Sequence, residues 1–481
     1  MEIIWLPFLL GLVLLALHPL RANRTAFTAY TAASLLLTCG LAAYRAISPG
    51  FSASIGHLAP NLELVLKMDG LSRLFLLLCA GLWLVCGVFA FGYLRDDARA
   101  GWFFGVYIMV FGTMTGIACA ANLVTLYLFF EALTLTSSLL VFYPCTHASV
   151  MAGLKYLFYS IGGAFLSLIG LFFFSRMNAG LFFRPGGVAL YTDAVGGDGV
   201  LLLLTFLMLA GVGAKAGMFP LHGWLPSAHP VAPAPASAVL SGLIAKAGVF
   251  YAIRIVYFIV GADTLRGTWV QYAWMALALV TVFMGSMLAY MEPVLKKRLA
   301  YSTVSQVSYI LFGLSLLTPA GLTGGLLHMV YHAVAKCGLF LCAGAFITQT
   351  GCTRVDELTG IGKAMPATTG CFAAFGLSLV GIPPFSGFVS KWYLAMGTSD
   401  ANVGCFALIG PAVLLLSALL TAGYLFPPVV RGFFAPAKAD TKEAPAVMTL
   451  PLVLLAVLTL VLGLFAQPLL DSLAPIVGAL L

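Results

Sequence analysis

Apolar runs of about 20 residues recur from one end of the chain to the other, and each can cross roughly 30 Å of hydrocarbon as a helix that satisfies its own backbone. The runs fall near 3–20, 26–48, 71–93, 101–119, 122–143, 151–175, 199–233, 236–259, 268–290, 300–317, 321–348, 367–398, 403–430 and 447–468. This pattern predicts an all-α, polytopic membrane protein with about fourteen transmembrane helices. Two runs are oversized and interrupted by proline: 199–233 carries Phe219-Pro220 and HPVAPAP at 229–235, and 367–398 carries Pro383-Pro384. Both are expected to be discontinuous helices, the seventh and the twelfth. Each stands fourth in a set of five, spans four to eight and nine to thirteen. An odd number of crossings starts the second set on the opposite face, so the layout predicts two inverted five-helix repeats. The expected divisions are 1–100 for the first three helices, 101–260 and 261–432 for the repeats, and 433–481 for a last helix. Broken helices at matching places in two halves point to an ion site between them.

Composition removes the soluble alternatives. The chain is 62% hydrophobic and 8% charged, against roughly 25% charged in a soluble domain. The first run follows Glu2 and precedes Arg21 and Arg24, the reverse of a signal peptide, so it is expected to be retained as a span. Ten scattered cysteines with no CxxC read as small apolar residues, and no metal or other cofactor is expected. An even number of spans leaves both termini on one side. One set of connections then holds Arg21, Arg24, Arg95, Arg99, Lys296, Lys297, Arg298, Arg354, Lys363, Arg431, Lys438 and Lys442, and the other only Arg45, Lys67, Arg73, Arg176, Arg184 and Arg266. The richer side is expected to face the cytoplasm of a cell inner membrane, with both termini on the other side. The net charge of +8 thus reflects topology, and nucleic-acid binding is excluded.

Seven charges fall inside spans: Glu131, Lys155, Lys215, Lys246, Arg254, Lys336 and Lys391. Each costs about 2.5 to 3.5 kcal/mol or more at the bilayer centre. Snorkelling to the interface accounts for a long side chain near a helix end, and for Lys155 and Arg254 it competes with a functional reading. It fails for Glu131, which lies about 15 Å into its span and is too short to reach water. Lys215, beside the first break, is its expected partner. A carboxylate moving toward or away from a buried amine would load or release that amine's proton, whereas a static ion pair is the structural alternative. Lys246 follows one span later. His328, His332 and Lys336 fall four residues apart on one helical face, and Lys391 follows the second break. The histidine spacing also suggests zinc, but Met329 stands where a zinc hydrolase needs glutamate. His222 and His229 near the first break read either as satisfied polar residues or as points of proton access. Lys296, Lys297 and Arg298 read as a basic loop that sets topology.

The segments FFEALTLTS at 129–137, KAGMFPLHGWLPSAHPVAPAPASAVLSGLIAKAGV at 215–249, RLAYSTVSQVSY at 298–309, HMVYHAVAKCGLFLCAGA at 328–345 and GIPPFSGFVSKW at 381–392 resemble one family. It is the antiporter-like subunits shared by respiratory complex I, membrane-bound hydrogenases and Mrp-type multisubunit cation/proton antiporters. The resemblance implies the fold just described and a proton-translocating subunit without a redox centre. Its partners would be other membrane subunits, including homologous antiporter-like ones. It also implies that Glu131, Lys215, Lys246, His332, Lys336 and Lys391 carry the proton. Complex I's distal subunit is similar but carries a long lateral helix, and its middle subunit resembles a version with glutamate at Lys391, so a hydrogenase-type or Mrp-type subunit is favoured. The alternatives are a subunit of a sodium/proton antiporter and an energising subunit for inorganic-carbon uptake.

Overall fold

A computed structural model describes residues 1–17, 21, 23–59, 62–177, 181–188, 190, 192–436 and 441–481; Lys438 lies outside them. The long helices, in order, are α1 Glu2–Ala16, α2 Arg24–Ile47, α3 Gly70–Tyr93, α4 Ala100–Cys119, α5 Leu123–Phe142, α6 His147–Met177, α7 Asp198–Ala216, α8 Leu225–Val231, α9 Ala234–Val260, α10 Trp269–Met291, α11 Leu295–Ser315, α12 Pro319–Thr350, α13 Pro366–Val380, α14 Gly387–Asp400, α15 Phe406–Phe434, α16 Ala446–Leu464 and α17 Gln467–Leu480. Among the described residues, 11 helices are long and apolar enough to cross a membrane. The fold is thus that of a mostly helical membrane protein, with α9 and α12 at its centre and buried almost throughout.

Two elements depart from the expected pattern. An antiparallel hairpin, β1 Ser52–Ala59 with β2 Leu62–Lys67, joins α2 to α3, in a stretch too short and too polar to read as a span. Beyond the last expected span, α17 forms as an amphipathic helix with Leu473, Val477 and Leu480 turned inward.

Polar residues at the helix starts explain where several begin. Asp69, Asn122 and Thr318 accept from the backbone N–H groups of Ser72, Thr125 and Gly321 at 2.8, 2.9 and 3.2 Å, which satisfies donors that a helix leaves free. The connections sort onto two faces. Bridges from Leu66 to Ala120 and from Asn122 to Phe182 gather the hairpin, the α4–α5 turn and the α6–α7 loop at one end. At the other end Val294 pairs with Arg354, and Gly360 donates to Arg431.

Both proline-interrupted segments are broken, and in the same way. α7 ends at Gly217 and α13 at Gly381, with φ of +85° and +89°. Past each, the backbone closes a six-residue turn, Met218 to Gly213 at 2.8 Å and Ile382 to Leu377 at 3.1 Å. This is the left-handed glycine stop of a Schellman motif. The chain then resumes as α8 and as α14.

Small residues bring helices together where no water-driven force does. A Cβ on Gly211 would lie 2.3 Å from the Gly163 carbonyl oxygen, and one on Gly163 2.4 Å from that of Gly211. Gly211→Val is therefore expected to destabilise the α6–α7 contact by about 3 kcal/mol or more, and Gly162→Val, with nothing within 4 Å, to be neutral. Thermal unfolding of the detergent-solubilised chain checks both; equal midpoints would refute the packing argument.

Candidate functional site

The interrupted helices put an amine at each free carbonyl end. Lys215 occupies the last turn of α7, where the helix dipole favours a cation, and Trp224 Nε1 donates to the Ala214 carbonyl at 2.8 Å to hold the broken end. Lys391, reaching back from α14, donates to the Leu379 and Val380 carbonyls at 2.6 and 2.9 Å, the last of α13. The two breaks are thus alike in chemistry, although one amine precedes its break and the other follows it.

Glu131 and Lys215 do not form the contact pair expected of them. Lys215 Nζ donates to Thr134 Oγ1 at 2.6 Å and to the Phe130 carbonyl at 3.5 Å, and lies 4.5 Å from the centre of the Phe130 ring. Glu131 is half-buried, with Oε1 lacking a hydrogen-bond partner among the described residues. The two residues nonetheless stay neighbours, since Lys215 bonds Phe130 and Thr134 on either side of Glu131 along α5. The reason is local: Thr134 is one turn beyond Glu131 on the same face of α5, about 4.5 Å along the axis, and its hydroxyl takes the amine.

Between the breaks runs a buried polar line. Lys246 Nζ bonds the Ser241 carbonyl at 2.7 Å across a π-helical turn, Leu240–Ile244, which widens α9 just ahead of it; such turns concentrate at functional sites. Ser241 Oγ meets Thr303 Oγ1 at 2.7 Å. Lys336 Nζ bonds the Leu299 carbonyl at 3.0 Å and is close enough to Lys246 for mutual repulsion. His332 lies within the field of both amines, and neither of its ring nitrogens has a partner among the described residues. Its neighbour His328, 5.9 Å away between ring centres, is held by Ser390 Oγ at 2.9 Å and Gln306 Oε1 at 3.1 Å. Since Ser390 adjoins Lys391 in α14, the line reaches the second break.

Lys246, Lys336 and His332 thus gather in one polar cluster that approaches Lys391 through His328 and Ser390, while Glu131 and Lys215 stand together at the first break. Three other readings change. Arg254 is fully buried and does not snorkel: it grips Asp69 at 2.5 and 3.0 Å and Ser72 at 2.9 Å, among the rings of Phe183, Phe250 and Phe258. Lys296 and Arg298 are buried too. Lys296 caps the carbonyls of Pro230 and Ala232, and Arg298 those of Glu292 and Tyr424, so these cations hold helix ends together besides marking a side. Only Lys297 stays near the surface, paired with Glu292 at 2.7 Å. His229 is buried against the Phe340 ring, 4.6 Å between centres, while His222 is half-buried beside Phe219. Lys155 is exposed on α6, as a snorkelling side chain should be. Asp69, Thr134, Ser241, Gln306 and Ser390 were not anticipated. Asp69 alone left a signal, in the capping pattern DGLS at 69–72.

Comparison with known proteins agrees with this architecture. Residues 120–418 match the family model described as NADH:quinone oxidoreductase/Mrp antiporter, TM. The chain is 34% identical over 431 residues to NADH-quinone oxidoreductase subunit N of Desulforudis audaxviator, covering 86% of this chain and 84% of that protein. It is 31% identical over 443 residues to hydrogenase-4 component B of Escherichia coli, covering 86% of this chain and 64% of that one. Against a Na(+)/H(+) antiporter subunit of Alkalihalophilus pseudofirmus the figures are 27% over 471 residues, 97% and 93%. The fold superposes on a chain of the membrane-bound sulfane sulfur reductase, an archaeal respiratory membrane complex, with a TM-score of 0.88 at 23% identity over 100% of this chain and 97% of that one. It also superposes on a chain of the Mrp complex from Dietzia, with a TM-score of 0.83 at 24% identity over 99% and 96%. The chain belongs to the NADH:quinone oxidoreductase/Mrp antiporter transmembrane family, as an antiporter-like membrane subunit of the kind found in energy-converting complexes.

Proposed function

We propose that this subunit conducts protons along the line from Glu131 and Lys215 through Lys246, His332 and Lys336 to Lys391, within a larger complex whose other subunits supply the energy. The observation that carries this reading is the row of three buried amines, Lys215, Lys246 and Lys336, and a half-buried fourth, Lys391, interspersed with histidines and hydroxyls between two broken helices. Such groups can gain and lose protons, and in a low-dielectric interior each responds to its neighbour's charge. The same row repels sodium, which prefers oxygen ligands, so protons are favoured over the sodium named in some relatives. The matched glycine stops at Gly217 and Gly381 support the inverted five-helix repeats, 101–260 and 261–432, flanked by 1–100 and 433–481, in a count of about fourteen helices. The basic connections favour the cytoplasm on the α11 side of an inner membrane, with both termini opposite. Partners are other membrane subunits, homologous antiporter-like ones among them.

The test is dye-monitored acidification of inverted membrane vesicles that hold the assembled complex. Acidification is expected to persist in sodium-free medium and to fall by about 90% or more in Lys246→Met, since losing one link of a relay is not made up by the others. A strict sodium requirement would overturn the choice of ion, and a normal rate in Lys246→Met would overturn the route.

A further inference from the structure

Where the first turns of α3 meet α17, the rim of the bundle holds a groove of about 470 Å³ that the polar line does not use. Leu74, Leu77, Phe258, Pro475 and Ile476 form its trough, and Arg73 stands on its wall. The volume is in the range that encloses a small molecule. α17 turns its buried face to the bundle, which leaves Pro475 and Ile476 along the groove, and Leu77 is 41% exposed on the side that lipid would wet.

The cations decide the ligand. Arg73 lies four residues past the cap Asp69, about 6 Å inside the helix start. No described carboxylate pairs with it. Asp69 borders the same groove, but both of its oxygens are engaged by Arg254. Exposed Arg184 adjoins Pro185, another wall residue. A free guanidinium offers paired donors to phosphate oxygens, and the trough beside it is mostly carbon.

We propose that this groove binds an anionic phospholipid, with an acyl chain in the trough and the phosphate on Arg73. Such a lipid would tie α17 to α3 at the membrane surface, independently of what the polar line conducts. The test is native mass spectrometry of the full chain, purified and delipidated in detergent, titrated with phosphatidylglycerol or phosphatidylcholine. The wild type is expected to retain phosphatidylglycerol in preference. Arg73→Gln should weaken that retention at least about tenfold, Arg73→Lys should keep the preference, and Leu77→Trp should weaken both lipids by filling the trough. Arg176→Gln, an exposed arginine on the same face, should change nothing. Equal retention by wild type, Arg73→Gln and Leu77→Trp would overturn the proposal. So would a photocrosslinker at Leu77 that captures a polypeptide and no lipid in native membranes.

Discussion

Lys215→Met is expected to abolish proton translocation while leaving the complex assembled, and Glu131→Gln to do the same. Methionine is an unbranched side chain close to lysine in volume that removes the charge and its donors, and Thr134 then loses a charged partner but keeps its bond to the Phe130 carbonyl at 3.2 Å. Packing should therefore survive. What is lost is the arrangement at α5, where the amine rests on Thr134, one turn from a carboxylate that has no fixed partner on Oε1. Moving the amine between these two positions needs only about 4.5 Å along the helix, and changes whether a carboxylate holds its charge. Thr134→Val removes the resting position alone and is expected to slow translocation severalfold without abolishing it. Acidification rates in inverted vesicles, with assembly read on native gels, check all three. A normal rate in Lys215→Met or Glu131→Gln would refute the switch, and loss of assembly would make the role structural.

The second large effect concerns stability. Asp69→Ala strands the buried Arg254 guanidinium without its counter-charge; removing one member of a fully buried pair costs about 3 to 5 kcal/mol, and with the Asp69 side chain 32% exposed the loss is expected at or below the lower end of that range. The midpoint of thermal unfolding in detergent should fall by several degrees. In the double variant Asp69→Ala/Arg254→Met most of the loss should return, because no charge is then left unpaired among the three phenylalanine rings. Burial works against the Asp69 carboxylate, but the charge and hydrogen bonds of Arg254 outweigh it and hold its pKa below the usual value. The pair's contribution is therefore complete above about pH 4 and disappears as pH falls through that lowered value. A double variant as unstable as Asp69→Ala would show that the pair does not act as a unit.

Most helix spans, both breaks and the charges set inside apolar runs were legible along the chain because each rests on a one-dimensional signal. Hydrocarbon thickness dictates the length of an apolar run, proline and glycine stop helices locally, and a charge inside an apolar run is conspicuous wherever it lies. The hairpin at 52–67 escaped because its strands, eight and six residues long, fall far short of a span. The burial of Arg254, left open between snorkelling and function, and of Lys296, read as a loop cation, escaped for another reason: their partners, Asp69 and the carbonyls of Pro230 and Ala232, are more than sixty residues away in sequence. A cation near a helix end looks the same in sequence whether it reaches water or a buried acceptor.

The amino-acid order by itself determined that the chain lies in a membrane, where its helices break and which side chains are too polar for their surroundings, since these follow from local hydropathy and backbone chemistry. Only the tertiary structure decided which of those side chains meet. It brought Lys215 to Thr134 instead of Glu131, ran His328 through Ser390 toward Lys391, and buried Arg254 against Asp69. The physical reason is that solvent sets a residue's preference for depth, whereas its partner depends on how helices distant in sequence pack and on which groups they leave unsatisfied where they meet.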